Sequence, residues 1–220
     1  MGRDAAPPRL PLKPRIKMRA LRGFLFFFVL VSVCAAKTGE FQRGKNLSKD
    51  DFSAALDHCE TNLPKVWSTL NAIRENGVNV RLTSARKMGP GKSAGTDQMV
   101  ISTFFLTKDL PKFPEDRLVI VLLHEFGHNL FNRQTSRGQR NPVKNEFFAF
   151  AYSIKMAQKR ATKGDSGPLD QVIKNIKIRH ENGKPHDPHT IAIKQLLKTP
   201  LWTSSLAQLE SKSPPPLFSP

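Results

Sequence analysis

The chain has 220 residues, with 35 Lys and Arg against 18 Asp and Glu and a formal net charge of +17. Its two cysteines, Cys34 and Cys59, exclude a disulfide-stapled scaffold. The basic residues are scattered, and there is no aromatic-basic nucleic-acid motif, so no specific nucleic acid is expected. A solvated basic surface suits anionic surroundings such as cell-envelope polymers or acidic proteins.

Arg15, Lys17, Arg19 and Arg22 form a basic region, residues 23–33 are apolar and Phe-rich, and Cys34-Ala35-Ala36 supplies small residues. This three-part pattern predicts a secretory signal peptide over 1–36, cleaved after Ala35 or Ala36, and a secreted or periplasmic protein. Met18 makes a more ordinary start than Met1. Val31-Ser32-Val33-Cys34 has the outline of a lipoprotein signal, but Val33 stands where a small residue is expected. The apolar run is too short to span a bilayer, and no later segment is long and apolar enough, so no transmembrane anchor is expected in the mature chain. Seven basic residues and one acidic residue precede position 37, which leaves +11 for the remainder and Cys59 as its single thiol. Residues 37–210 are enough for one domain with its own core.

In chain order, Ser48 caps a helix through about Cys59, whose apolar stripe of Phe52, Leu56, Cys59 and Leu63 predicts a buried thiol. A second helix opens at Leu63-Pro64 and stops at Asn76-Gly77. Residues 78–83 alternate as a strand, 85–97 read as a Gly/Lys/Ser loop, and 98–106 read as a second strand. Pro114-Glu115-Asp116-Arg117 starts a helix that continues through six apolar residues, Leu118 to Leu123. A polar loop over 133–140 precedes Asn141-Pro142, an N-cap and first helical residue, of a helix to about Arg160. Two more helices are expected at 168–179 and 189–212, the second interrupted at Pro200, then a disordered Pro-rich tail over 211–220. The fold class is α+β, helix-rich, with a small sheet before the 114–133 helix.

That helix carries His124-Glu125-Phe126-Gly127-His128. Residues four apart lie one turn above each other on one face, so the two imidazoles can converge on one metal ion. Glu125, one step round, can act as a base toward water there. The alternative, two histidines on an ordinary amphipathic helix, fits poorly with a segment apolar nearly all round, because buried imidazoles need partners. Gly127 costs about 1 kcal/mol relative to alanine inside a helix and so marks close packing or function.

A catalytic zinc site needs a third protein ligand. The single-helix solution HExxHxxGxxH is excluded, because its last two positions are Leu130 and Gln134. A glutamate on the next helix is the other solution. Glu146, in Asn145-Glu146-Phe147-Phe148-Ala149, lies in the second turn among aromatic and small residues, where an unpaired carboxylate is costly. The alternative, an exposed glutamate on an amphipathic helix, is common, but the apolar company of Glu146 favours the ligand reading.

Over about residues 114–156 the chain resembles the gluzincin metallopeptidases, which join this motif to a glutamate ligand on the following helix. The resemblance implies a zincin-like domain with Zn2+ held by His124, His128 and Glu146, Glu125 as general base, and a peptide or protein substrate cut in the manner of an endopeptidase. It also implies an edge strand that binds the substrate backbone, for which 98–106 is the candidate. Where some gluzincins carry an aspartate that orients a zinc histidine, this chain has Phe150, so that acceptor must be a backbone carbonyl, an asparagine or another group. A donor to the developing oxyanion is still required. Tyr152 is six residues after Glu146 and points away from the metal. His180, His186 and His189 cluster in the stretch 179–189, and His186 or His189 is the expected donor. Two other readings stay open: a catalytically silent zinc-binding domain, and a basic envelope- or polyanion-binding module with a fortuitous HExxH.

Overall fold

Alternating apolar residues on short strands build a four-stranded sheet at one side of the molecule. The computed structural model describes residues 37–108, 110 and 112–211. The expected leader and the tail beyond residue 211 lie outside them. Strands β1 (Phe41–Arg43), β2 (Asn79–Thr83), β3 (Gly91–Ser93) and β4 (Gln98–Ser102) are ordered β1-β2-β4-β3. β1, β2 and β4 run parallel, and β3 is antiparallel to β4, with Gly91 opposite Ile101 and Ser93 opposite Met99. Val80, Leu82, Met99 and Ile101 are the inward set and are fully buried, as period-two alternation requires.

Two expectations need correction here. The strand expected over 98–106 ends at Ser102, and the chain turns at once into a short helix, α3 (Thr103–Thr107). Alternation stops at Thr103, and a helical turn lets Leu106 enter the core while Phe105 packs edge-on against Phe113, with ring centroids 5.0 Å apart. Moreover, β4 is an interior strand. The edges are β1 and β3, and β3 lies inside the stretch expected to be loop. Its sequence, Gly-Lys-Ser, has little strand preference of its own. Pairing with β4 defines it.

The helices are α1 (Lys49–Asn62), α2 (Pro64–Glu75), α4 (Glu115–Gln134), α5 (Pro142–Thr162), α6 (Gly167–Asn182), α7 (Pro188–Leu196) and α8 (Pro200–Glu210). Ser48 and Asn141 cap as expected, each side chain accepting from the backbone N–H three residues on. The single interrupted helix expected over 189–212 is two helices, because Thr199 caps a new start with Pro200 as its first residue. Among the described residues no helix is long and apolar enough to cross a membrane. Cys59 is fully buried, and burial, with Glu115 and Glu60 nearby, pushes its thiol up to about 12, so it is an inert core residue.

α4 lies between two apolar cores, which explains why its sequence is apolar nearly all round. Leu118, Val119, Leu122, Leu123 and Phe126 join the core formed with the sheet, α1 and α2. Ile120 joins the core of α5 to α8. Polar side chains fasten α4 to the hairpin β3–β4. Buried Asn129 donates to the Gly95 and Gln98 carbonyls at 3.0 and 2.9 Å, and Arg133 donates to Thr96 O at 2.8 Å.

On its other side α4 crosses α5 at backbone contact. A Cβ on Gly127 would stand 2.7 Å from Ala149 Cα, closer than real atoms approach. Alanine would gain about 1 kcal/mol of helix preference, but forcing two helices apart costs about 1–3 kcal/mol. Gly127→Ala is therefore expected to lower stability by up to about 2 kcal/mol, read as a lower urea midpoint at unchanged slope. A higher midpoint would mean that the crossing has slack.

Candidate metal centre

The α4–α5 crossing sets two imidazoles against one carboxylate. His124 and His128 stand one turn apart on the α4 face toward α5, and Glu146 projects from the second turn of α5. Their ring Nε2 atoms are 3.1 Å apart, and Glu146 Oε2 lies 3.3 Å from His124 Nε2 and 3.6 Å from His128 Nε2. Donors at about 2.0–2.1 Å from one tetrahedral zinc would be separated by about 3.3 Å. The three side chains are 11–15% exposed. Glu146 Oε2 and His124 Nδ1 are buried with no hydrogen-bond partner, so the carboxylate oxygen faces the ring nitrogens without accepting a well-aligned N–H. The two Nε2 atoms lie within hydrogen-bond distance of each other, and the unpartnered carboxylate oxygen beside them is what a cation would satisfy; a two-nitrogen, one-carboxylate set suits zinc. The three residues could hold a metal ion.

The protonation states agree with that fit. Burial dominates at His124 and holds it below its ordinary value even against Glu146, which leaves a neutral imidazole with a lone pair to give. Burial alone would raise the Glu146 carboxyl, but the contact with the His124 ring and the neighbouring imidazoles of His128 and His189 outweigh it and hold the group lowered.

Neighbouring groups orient each member. His128 Nδ1 is 2.9 Å from Asn145 Oδ1, so an asparagine is the acceptor that turns Nε2 toward the cluster. His124 has no such acceptor. The Phe150 ring lies against it, with centroids 4.4 Å apart. Glu125 turns the other way, toward the sheet, and its Oε2 accepts from the Ser93 backbone N–H at 2.7 Å. The sheet edge thus holds the expected base.

Of the candidates for the oxyanion donor, the fold brings one to the cluster. His189 Nε2 is 3.3 Å from Glu146 Oε1, and its Nδ1 is 3.3 Å from Asp187 Oδ1. Asp187 caps α7 by accepting from Thr190 N. Slight burial opposes ionisation of Asp187, but the contacts with His189 and Thr190 hold its carboxyl lowered. His186 is exposed in the loop before α7, and His180 is exposed on the last turn of α6, which runs further than the expected 179. Neither touches the cluster among the described residues. Tyr152 packs edge-on against Phe126, with centroids 5.5 Å apart, and lines a different cavity beside Thr69 and Arg160. Asp187, Ser93 and Asn145 were not singled out from sequence. Asp187-Pro188 is a legible helix start, whereas nothing in Gly-Lys-Ser announces a strand beside Glu125.

A cavity of about 300 Å3 opens beside the cluster, lined by His124, Glu125 and His189 and by Pro90 and Gly91 at the sheet edge. Comparison with protein-family models, curated proteins and solved structures found no match.

One divalent ion per chain is expected on elemental analysis of the purified protein, with Glu146→Ala losing most of it. Asn145→Ala is expected to weaken binding about 10–100-fold in a chelator competition, the usual effect of removing a ligand's hydrogen-bond partner. Undiminished metal in Glu146→Ala would remove Glu146 from the ligand set.

Proposed function

We propose that the protein is an exported zinc-dependent peptidase with a zincin-like domain of the gluzincin type. The observation that carries this reading is the convergence of His124, His128 and Glu146 beside an open cavity, with Glu125 held at its rim by Ser93. The export part rests on the basic-apolar-small leader alone.

His124, His128 and Glu146 would hold the ion. Zinc supplies Lewis acidity in such a site and brings the pKa of water down to about 7. Glu125 takes a proton from the attacking water and returns it to the departing amine. The Ser93 N–H on Oε2 fixes the carboxylate, which leaves the other oxygen to carry that proton. His189 Nε2, which lies against Glu146 Oε1 in this structure, would turn from that carboxylate to donate to the charge that develops on the carbonyl oxygen, with Asp187 orienting its ring. The β3 edge offers backbone groups to an extended substrate by strand addition, a role expected from sequence of 98–106 and better suited to 91–93.

Glu125→Gln should retain the metal and the Ser93 hydrogen bond but lose peptide hydrolysis, because glutamine accepts from the backbone and cannot take the water's proton. Cleavage of a peptide library by this variant at the wild-type rate would exclude the mechanism. Metal-loaded wild-type protein that cleaves no peptide would instead leave the reading of a silent zinc-binding domain. His189→Ala should keep the metal and lower turnover about 10²–10³-fold, measured as kcat on a fluorogenic peptide. An unchanged kcat would move the donor elsewhere.

A further inference from the structure

The cavity beside Glu125 has a second, basic end. Arg117 lies seven residues before His124 on the same face of α4, about 10 Å along the helix axis at 1.5 Å per residue, and Arg179 enters from the last turn of α6. The walls also carry Ile120, Val121, Val172 and Ile176, with Ser153 and Asn175 as polar groups among them.

Arg117 is only partly satisfied. Its Nη1 donates to Lys112 O at 2.7 Å, and its guanidinium lies 4.5 Å from the Phe113 ring centre. Its Nε is buried with no hydrogen-bond partner. Burial and the charge of Arg179 both lower its proton affinity, so two like charges face each other. Among the described residues neither guanidinium has an ion pair. The nearby carboxylates are engaged elsewhere: Glu115 accepts from Lys65 N and Val66 N, Asp116 pairs with Lys65 Nζ, and Glu125 accepts from Ser93. Solvated surface arginines would account for Arg179 alone. They do not account for a buried, unpartnered Nε beside a second cation in the wall of the cavity that holds the base. A bound anion would satisfy that Nε and separate the two cations, and guanidinium groups bind carboxylates best.

We propose that Arg117 and Arg179 form the recognition end of a specificity pocket that takes a carboxylate from the substrate. This rests on the peptidase reading and names its substrate class: peptides that set a carboxylate about two helical turns from the metal cluster. Ile120, Val121, Val172 and Ile176 suit an aliphatic stem with a terminal charge, as in a glutamate side chain. A chain-terminal carboxylate offers the same chemistry.

Three pairs of peptide pools separate these sources. The first pair is N-acetylated, C-amidated decapeptides with Glu or Gln at each position in turn. The second is the same with Asp or Asn. The third has neutral sequences with a free or an amidated C-terminus. Binding is read by calorimetry on zinc-loaded full-length Glu125→Gln, and cleavage by mass spectrometry on the wild type. We expect the charged member of one pair to bind about 10–100-fold more tightly than its neutral partner, the range for charge-assisted hydrogen bonds. That preference should fall to within about twofold when Arg117→Gln or Arg179→Gln is added, with metal content and thermal midpoint held. Preference for Glu or Asp assigns a side chain, and preference for the free C-terminus assigns the chain end. Equal binding across all three pairs, or a preference that survives both arginine substitutions, overturns the proposal. Arg179 is exposed, so its variant tests the pocket even if Arg117→Gln unfolds. Arginine-dependent binding without cleavage of any pool by the wild type would uphold the carboxylate pocket and sink the peptidase reading.

Discussion

The crossing of α4 over α5 at Gly127 and Ala149 sets how far Glu146 stands from the two histidines. Gly127 follows His124 by three residues and precedes His128 by one, and Ala149 follows Glu146 by three, so the three clustered side chains sit within a turn of the contact point. A glutamate side chain reaches only a few ångströms, and a methyl group at the crossing would move the helices apart by a comparable fraction of that reach. Both ends of the connection are tied. Arg140 donates to the carbonyls of Thr135 and Asn132 at the end of α4, and Asn141 and Pro142 fix where α5 begins. The register of Glu146 therefore follows from local chemistry on either side of a seven-residue link.

Within that frame the cluster is electrostatically unfinished. Three side chains of the cluster are mostly shielded from water, one carboxylate oxygen and one imidazole nitrogen lack hydrogen bonds, and the Phe150 ring adds to the dehydration of His124. Buried polar atoms in this state cost about 1–3 kcal/mol each. The molecule meets part of the charge with His189, which lies between Glu146 and Asp187. Asp187 is itself fixed by capping α7, so a capping residue that would stabilise any helix here also orients a ring at the site. What remains unmet is Glu146 Oε2, which faces the two ring Nε2 atoms, and His124 Nδ1.

The sequence exposed the parts of this arrangement that depend on local pattern. The histidine pair follows from four-residue spacing, α5 from its Asn-Pro start, and Glu146 from a charge among apolar neighbours. Parts that depend on pairing were hidden. β1 and β3 are three residues each, and Gly-Lys-Ser becomes an edge strand only because β4 offers it a partner. Phe104-Phe105-Leu106 satisfies a strand reading and a helical turn equally, and tertiary packing of Leu106 decided for the helix. Tyr152 was legible for the opposite reason. Six residues on a helix turn its side chain about 240° from Glu146, whatever the surroundings.

One helix carries nearly all of the proposed chemistry, and its two faces divide the work. The face toward α5 presents Arg117, His124 and His128, while Glu125, one residue round, meets the edge strand through Ser93. The scissile bond of a substrate would then lie between β3 and the helical half, with its backbone toward the strand and a side chain or chain end toward Arg117 and Arg179. This alignment depends on an uninterrupted helical repeat from 117 to 128. One residue inserted between Arg117 and His124 would swing Arg117 by about 100°, out of the cavity wall and into the core packed by Leu118 and Val119. The apolar run between them therefore sets the spacing between recognition and catalysis as well as filling two cores.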